Sequence, residues 1–160
     1  MLYARGALSP SPEQIEYADM LHRLATGDLY ACRKLADDAE VDDHIIGFHA
    51  QQAVEKALKV ALVLADSELP HTHDLELLVE QVKGAGTTVP DELSDTEWLT
   101  PWAAELRYDE PIALDRMAAL AAAESASGWA ASLLADAKLP QPDPDPGRKS
   151  REEAPPAPEP

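Results

Sequence analysis

The sequence has little cysteine and few aromatic residues. A single cysteine, Cys32, excludes an intrachain disulfide, so we expect a reducing compartment. Its apolar neighbours at helical spacing indicate a buried small side chain rather than a nucleophile. Aromatic residues make up only 5% of the chain, and the few β-branched residues do not alternate with polar ones. No strands are therefore expected.

Basic residues and long apolar runs are also scarce. Thirteen lysines and arginines stand against 30 acidic residues, which gives a formal net charge of -17. Such a charge repels nucleic acid and anionic membranes, so any contact with a polynucleotide requires a local basic pocket. No apolar run approaches the roughly 20 residues that cross a bilayer, and the first residues do not resemble a signal peptide. We expect a cytoplasmic protein that does not contact membranes.

Alanine and leucine dominate the 45% hydrophobic content, and their spacing predicts helices. The first helix is predicted over residues 12–38, because its apolar stripe continues through Gly27, a residue that allows a bend. A second follows over 43–65, with Asp42 or Asp43 as its N-cap. Their inward stripes consist of Ala18, Leu21, Ala25, Leu29, Cys32 and Leu35 in the first helix, and of Ile46, Ala50, Ala53, Ala57, Ala61 and Leu64 in the second.

Three shorter or interrupted helical segments are predicted to follow. Thr72 is expected to cap a helix that buries Leu75, Leu78, Val79 and Val82 and stops at Gly84 and Gly86. The segment 91–106 is helical in pattern but contains Pro101, so a restart with Thr100 as cap is expected. The last helix is predicted over 112–137. Its expected inward residues are Leu114, Met117, Ala121 and Leu133, with Trp129 near its end.

The composition changes abruptly at Leu139. Eight of the 14 prolines lie between Pro140 and Pro160, with charged residues among them and almost nothing apolar to bury. We predict one all-α domain over residues 12–138, built of four to five helices, and a disordered proline-rich tail over 139–160. A single domain fits the length of 160 residues.

One ridge of the second helix carries most of the candidate site. It presents His49, Gln52, Lys56 and Lys59 at steps of three and four, with Glu55 beside them, opposite an apolar side. The alternative interpretation is a solvated face on which Glu55 and Lys59 form an ordinary helical ion pair, worth about 0.3 kcal/mol.

Two further segments carry groups able to do chemistry. Arg107, followed by Tyr108, lies at a helix junction, where it can reach helix-end carbonyls, a carboxylate such as Glu55, or a phosphate. His71 and His73 could join a metal, but no third ligand has a recognisable spacing, so neither a metal nor another cofactor is expected. Phosphate-binding loops, paired-cysteine motifs and nucleophile elbows are absent from the sequence.

These residues resemble the HEPN domain of bacteria and archaea over roughly residues 14–135. The resemblance is carried by Phe48-His49-x-Gln51-Gln52-Ala53-x-Glu55-Lys56-x-x-Lys59, by Thr72-His73-Asp74-Leu75, by Leu106-Arg107-Tyr108, and by the Ala25-x-x-Asp28-Leu29 stretch. It implies a mainly up-and-down helical bundle, usually a homodimer, often paired with a minimal nucleotidyltransferase as a toxin and antitoxin. Other relatives are linked to nucleotide or RNA binding.

Catalytic HEPN proteins cleave RNA without metal, using an arginine followed four to six residues later by a histidine. Here Arg107 is in place, but Ile112, Ala113 and Leu114 occupy the positions where that histidine would stand. Losing it removes the most suitable proton carrier near neutral pH.

The sequence therefore favours a noncatalytic binding module. Its expected ligand is a nucleotide, RNA or a partner nucleotidyltransferase. The residues expected to contact that ligand are His49, Gln52, Glu55, Lys56, Lys59, His73, Arg107 and Tyr108. A metal-independent endoribonuclease, with Arg107 as catalytic candidate and His49 or His73 in place of the missing histidine, is the alternative. The third hypothesis is a purely structural dimerisation unit, in which the ridge packs its polar groups across an interface.

Overall fold

A computed structural model describes residues 9–103 and 113–140 of the chain. Within these ranges every regular element is helical, so the predicted all-α bundle is confirmed. The helices are α1 (Pro12–Leu35), α2 (Asp43–Leu64), α3 (Leu75–Gly84), α4 (Asp91–Ser94), a 3₁₀ helix (Glu97–Ala103) and α5 (Arg116–Ala137). No helix in the described ranges is both long and apolar enough to cross a membrane.

The first two helices start at the caps that the sequence provides. Ser11 and Gln14 form a reciprocal capping box at the start of α1, and the Asp42 side chain accepts a hydrogen bond from the His44 amide at the start of α2. Both predicted apolar stripes are confirmed, with Leu35 only partly buried. However, α1 runs unbroken through Gly27 and ends at Leu35, three residues before the predicted end.

Helix α2 is the centre of the bundle, since α1, α3, α5 and the 3₁₀ helix all pack against it. Helix α1 runs antiparallel to α2, because Gln14 bonds Asp66 at one end of the pair and Asp28 bonds Lys56 towards the other. It also runs antiparallel to α5, as the contacts from Arg33 to Glu124 and from Lys138 to Asp19 show. Helix α2 is consequently buried on most of its surface.

The cap of α3 differs from the prediction. Asp74 occupies the N-cap and accepts hydrogen bonds from the amides of Glu76 and Leu77, whereas the Thr72 hydroxyl accepts one from the Asp74 amide. Thr72 is therefore not the cap, because the Asp74 carboxylate can hold two free amides of the first turn. The four predicted apolar residues of α3 are buried, and the helix ends at Gly84 as expected.

The expected restart at Thr100 is also wrong. Pro101 lies inside the 3₁₀ helix, whose tighter turn avoids the clash that the proline ring makes in an α-helix. The Thr100 hydroxyl instead accepts a hydrogen bond from the Leu75 amide, at 3.1 Å. The segment predicted as one interrupted helix is thus α4 followed by the 3₁₀ helix.

Helix α5 begins later than predicted and faces the core differently. Residues 113–115 are not helical, and Asp115 is the N-cap. Leu114 and Leu133 are buried as expected, but Met117 and Ala121 are exposed, so these two predictions are wrong. Leu114 precedes the N-cap, so its burial does not indicate which face of α5 points towards the core. The buried face consists of Ala119, Ala122, Ala123, Ala126, Ala130, Leu133, Leu134 and Ala137.

Candidate functional site

Side chains from α1, α2 and the loop before α3 form one hydrogen-bonded group, which we call the α2 polar cluster. Its members are Asp28, His49, Gln51, Gln52, Glu55, Lys56, Lys59 and His73. Six of them were predicted as site residues from the sequence. The structure joins these six through Asp28 and Gln51.

Glu55 is the buried centre of the cluster, with its side chain only 5% exposed. One carboxylate oxygen accepts a hydrogen bond from Lys59 Nζ at 2.7 Å, and the other lies 2.9 Å from both Gln51 Nε2 and His73 Nδ1. Burial alone would raise the pKa of Glu55, but the hydrogen bonds from Lys59, Gln51 and His73 outweigh it and hold the pKa below the ordinary value. Glu55 therefore stays ionised. This is not the solvated ion pair of the alternative interpretation.

Asp28 organises the other half of the cluster. Its two oxygens lie 2.9 Å from His49 Nδ1 and 2.7 Å from Lys56 Nζ. Lys56 also donates to Gln52 Oε1, and Gln52 Nε2 donates to Gln51 Oε1, which joins the two halves. The network thus ties α1 to the loop before α3 through one face of α2.

The charges of the cluster balance. Lys56 is paired with Asp28 and Lys59 with Glu55, so neither ammonium group is left without an internal carboxylate. The ridge alone is consequently not the positive pocket that an isolated phosphate would select. A ligand meets a fixed arrangement of imidazole, amide and ammonium groups whose positions are already set.

His73 is the most accessible member of the cluster, with a side chain that is 65% exposed. Its backbone carbonyl accepts a hydrogen bond from Gln51 Nε2 at 3.1 Å, which fixes the loop to α2. His71, two residues away, is also exposed. No group of three or more histidine, cysteine or acidic side chains suited to a metal occurs in ranges 9–103 and 113–140.

Arg107 and Tyr108 lie outside the described residues, as does Ile112. Of the three positions where the family pattern would place a histidine, Ala113 and Leu114 are described. Leu114 is buried, and its amide donates to Asp43 at 2.9 Å.

Sequence reasoning left Asp28 and Gln51 out of the site, although both stand in the stretches that carry the resemblance. Asp28 interrupts the apolar face of α1 between Ala25 and Leu29, and it is only partly exposed. Gln51 is fully buried. A polar residue at the edge of an apolar stripe is the signal that could have identified Asp28, because a partly buried carboxylate needs hydrogen-bonding partners.

An α-helical bundle whose central helix carries a preorganised polar cluster is typical of a small binding or catalytic domain. A sequence model of the HEPN domain family matches residues 15–131. This chain therefore belongs to the HEPN domain family. The resemblance drawn from the sequence is confirmed. HEPN domains are modules of the nucleotide-binding and ribonuclease type. Comparisons with curated proteins and with solved structures give no match.

Proposed function

We propose that this HEPN domain is a noncatalytic module that binds a nucleotide or a short stretch of RNA at the α2 polar cluster. The observation that carries the proposal is the buried, ionised Glu55, which fixes Lys59 and the exposed His73 at one surface. Burying a carboxylate costs free energy because the group loses its hydration. Since this chain belongs to the HEPN domain family, a role in ligand recognition is favoured for Glu55.

The cluster is suited to binding because its groups are already ordered. Lys56 and Lys59 are each 19% exposed, and His49 is 28% exposed, so all three are restrained yet reachable. Restraining them before the ligand arrives reduces the entropy lost on binding. The net charge of -17 opposes general attraction to long polyanions, which favours recognition of a single nucleotide or a short segment.

A matched pair of histidine variants tests this proposal. His73→Ala removes an exposed side chain that contacts Glu55, whereas His71→Ala removes an exposed histidine from the same loop. Fluorescence polarisation with a labelled short RNA and calorimetry with ATP should show at least about a fivefold loss of affinity for His73→Ala only, equivalent to about 1 kcal/mol. Equal affinities of the two variants, or no binding by the wild type, would contradict the proposal.

Absence of cleavage is the second part of the proposal. Neither Ala113 nor Leu114 can carry a proton, so the usual partner of the family arginine is missing. RNA incubated with the purified protein and a chelator should therefore stay intact. Electrophoresis of the labelled RNA measures this directly.

A metal-independent endoribonuclease is the second candidate, and one observation favours it. His49 and His73 each contact a carboxylate through Nδ1, and Nε2 of each makes no hydrogen bond within the described residues. A carboxylate that orients an imidazole in this way is suited to acid–base chemistry. If this candidate is right, the chelated protein cleaves RNA, and Arg107→Ala and His73→Ala abolish cleavage while His71→Ala does not.

We further propose a minimal nucleotidyltransferase as protein partner, in a pair of the toxin–antitoxin type within the cytoplasm. The support is the resemblance to HEPN domains encoded beside such enzymes, together with a single free cysteine that suits a reducing compartment. Co-expression with the nucleotidyltransferase of an adjacent gene should give a stable complex by size-exclusion chromatography. Separate elution of the two proteins would contradict this partner.

A further inference from the structure

An open groove lies where the first turns of α1 meet the end of α5, and we call it the α1–α5 groove. Its volume is about 440 Å³, and it is lined by Pro12, Ile15, Glu16, Asp19, Ala137 and Lys138. Ala137 is buried and Ile15 is partly buried, whereas Glu16 and Lys138 are exposed. The groove therefore has an apolar floor and a charged rim.

The rim carries acidic side chains that lack a basic partner. Asp19 accepts a hydrogen bond from Lys138 Nζ at 2.7 Å. Glu16, and Glu13 about one turn before it, are exposed and make no ion pair within ranges 9–103 and 113–140. Helix α5 has no basic residue in its last turn, although the negative end of its dipole lies here. The groove thus favours positive side chains.

The C-terminal tail starts at this groove. The last residues of α5 line it, and the chain continues from there into residues 141–160, which lie outside the described ranges. The basic residues of the tail are Arg148, Lys149 and Arg151. Three of the 13 basic residues of the chain therefore fall within residues 148–151, which we call the basic segment. No other four consecutive residues contain more than two.

We propose that the α1–α5 groove is the docking site of the tail of its own chain, with the basic segment lying against the acidic residues of α1. The tail leaves the domain at the groove, and its basic segment complements the charge of the rim. The inference does not depend on the proposed function, because docking is measured without a ligand.

The apolar floor suits arginine and lysine as well as the acidic rim does. The methylene stems of these residues cover apolar surface while their charged ends stay in water or reach a carboxylate. Lys138 already lines the groove in this way, with its ammonium group on Asp19. Glu13 and Glu16 offer two further carboxylates to the basic segment.

The lengths of the two partners match. In an extended chain, Arg148 and Arg151 are about 10 Å apart. Glu13 and Asp19 are about 9 Å apart along α1. The nine residues from Leu139 to Arg148 reach up to about 30 Å, more than the groove requires. Because the tail is tethered beside its site, weak ion pairs suffice to keep it docked.

Residues 1–8 are the other segment of the chain that could reach the groove, since they precede the start of α1. They carry one basic residue, Arg5, against the three of the basic segment. The charge of the rim therefore favours the tail.

Docking determines where the strongest run of positive charge in this acidic protein lies. The groove is on the α5 side of α1, whereas Asp28 and the α2 polar cluster are on its α2 side. A docked basic segment is neutralised by acidic residues of its own domain. It becomes available to a polyanion only when the tail is released.

Paramagnetic broadening in NMR spectra of the full chain tests the docking. A nitroxide attached at Ser150→Cys should broaden the amide signals of Ile15 and Glu16 and leave that of Leu77 on α3 sharp. The native Cys32 is fully buried, so the label goes to the introduced cysteine. Sodium chloride at about 0.5 M should weaken the broadening, because it screens exposed ion pairs.

Charge reversal separates docking from mere tethering. The reversed tail has the substitutions Arg148→Glu, Lys149→Glu and Arg151→Glu. It keeps the same tether and label, yet the broadening at the groove should fall at least about threefold, since tethering alone gives only a weak effective concentration there. Adding Glu13→Lys and Glu16→Lys to the reversed tail should restore the broadening, because both signs are then exchanged.

Two results would overturn the proposal. One is equal broadening at the groove by the native and the reversed tail, which would show tethering without docking. The other is broadening of the groove by a nitroxide at Ala4→Cys together with none by one at Ser150→Cys, which would assign the groove to residues 1–8.

Discussion

Trp102 of the 3₁₀ helix lies directly against Gly47 of α2. A Cβ built on Gly47 would stand 2.5 Å from two carbons of the indole ring, closer than real Cβ atoms approach other atoms. Because Trp102 is 5% exposed and its ring is bulky, it has little room to move away. The glycine is therefore required by the close approach of the 3₁₀ helix and not by its backbone conformation.

We expect Gly47→Ala to destabilise the protein. The clash with Trp102 should cost about 1–3 kcal/mol, which exceeds the gain of about 0.5–1 kcal/mol that alanine gives inside a helix. Gly128→Ala on α5 is the control, since a Cβ there meets nothing within 4 Å, and it should stabilise. Urea denaturation measures both. A stabilised Gly47→Ala variant would show that the indole is not fixed where the structure places it.

Glu55→Gln should destabilise the fold by about 2–4 kcal/mol, because it leaves the restrained ammonium group of Lys59 without its carboxylate. Adding Lys59→Met should recover part of this loss, since the charge that lacked a partner is then removed. A double-mutant cycle on the free energy of unfolding gives the coupling between the two residues. Simple additivity of the two single changes would argue against a coupled pair.

Stability should fall in acid partly through Glu55. Folding lowers the pKa of Glu55 below its ordinary value of 4.5, so its contribution to stability is fully present above pH 4.5 and is lost as the pH falls through the lower pKa of the folded state. The free energy of unfolding measured from about pH 7 to about pH 3 should therefore decline less steeply for Glu55→Gln than for the wild type. Parallel curves would mean that other carboxylates account for the acid sensitivity.

Arg116 joins the start of α5 to the chain that connects α1 and α2. Its guanidinium bonds Asp43 at 2.6 Å and the carbonyl oxygens of Asp38 and Val41 at 2.8 and 2.7 Å. A lysine cannot reproduce this fork, so Arg116→Lys should cost about 2 kcal/mol. Arg33→Lys, at an exposed ion pair with Glu124, should change stability by less than about 0.5 kcal/mol. Thermal unfolding of the two variants distinguishes these cases.

Cys32 should react only when the protein opens. It is fully buried, and burial raises the pKa of its thiol to about 11, so almost no thiolate is present near neutral pH. A thiol reagent should label the native protein slowly and the urea-unfolded protein at once. Rapid labelling of the native state would contradict the packing of α1 against the bundle.

The sequence predicted α1 and α2 well because their apolar residues form narrow stripes beside polar faces. Helix α5 was harder, since alanines occur on most of its sides and an alanine-rich surface does not show which side faces the core. The cap of α3 was misplaced because Thr72 and Asp74 are both good capping residues. Local preference cannot choose between two such neighbours.

The site was predicted in outline only. Spacing placed His49, Gln52, Lys56 and Lys59 on one ridge, but it could not show that Glu55 lies inside the fold. Its burial depends on the loop that carries His73, and the pairing of Lys56 depends on Asp28 from another helix. Contacts between elements of this kind are set by tertiary packing and are not readable from periodicity.

Helix α2 supplies both the hydrophobic centre of the bundle and the candidate recognition surface. Neighbouring side chains of α2 therefore have different roles: Val54 packs in the hydrophobic core, whereas the buried Glu55 holds the polar cluster together. Altering ligand preference by changing this helix will tend to cost solubility and yield, even when the new contact is favourable. Engineering or natural divergence of specificity should accordingly concentrate at the rim, where the loop around His73 can vary without disturbing the interior.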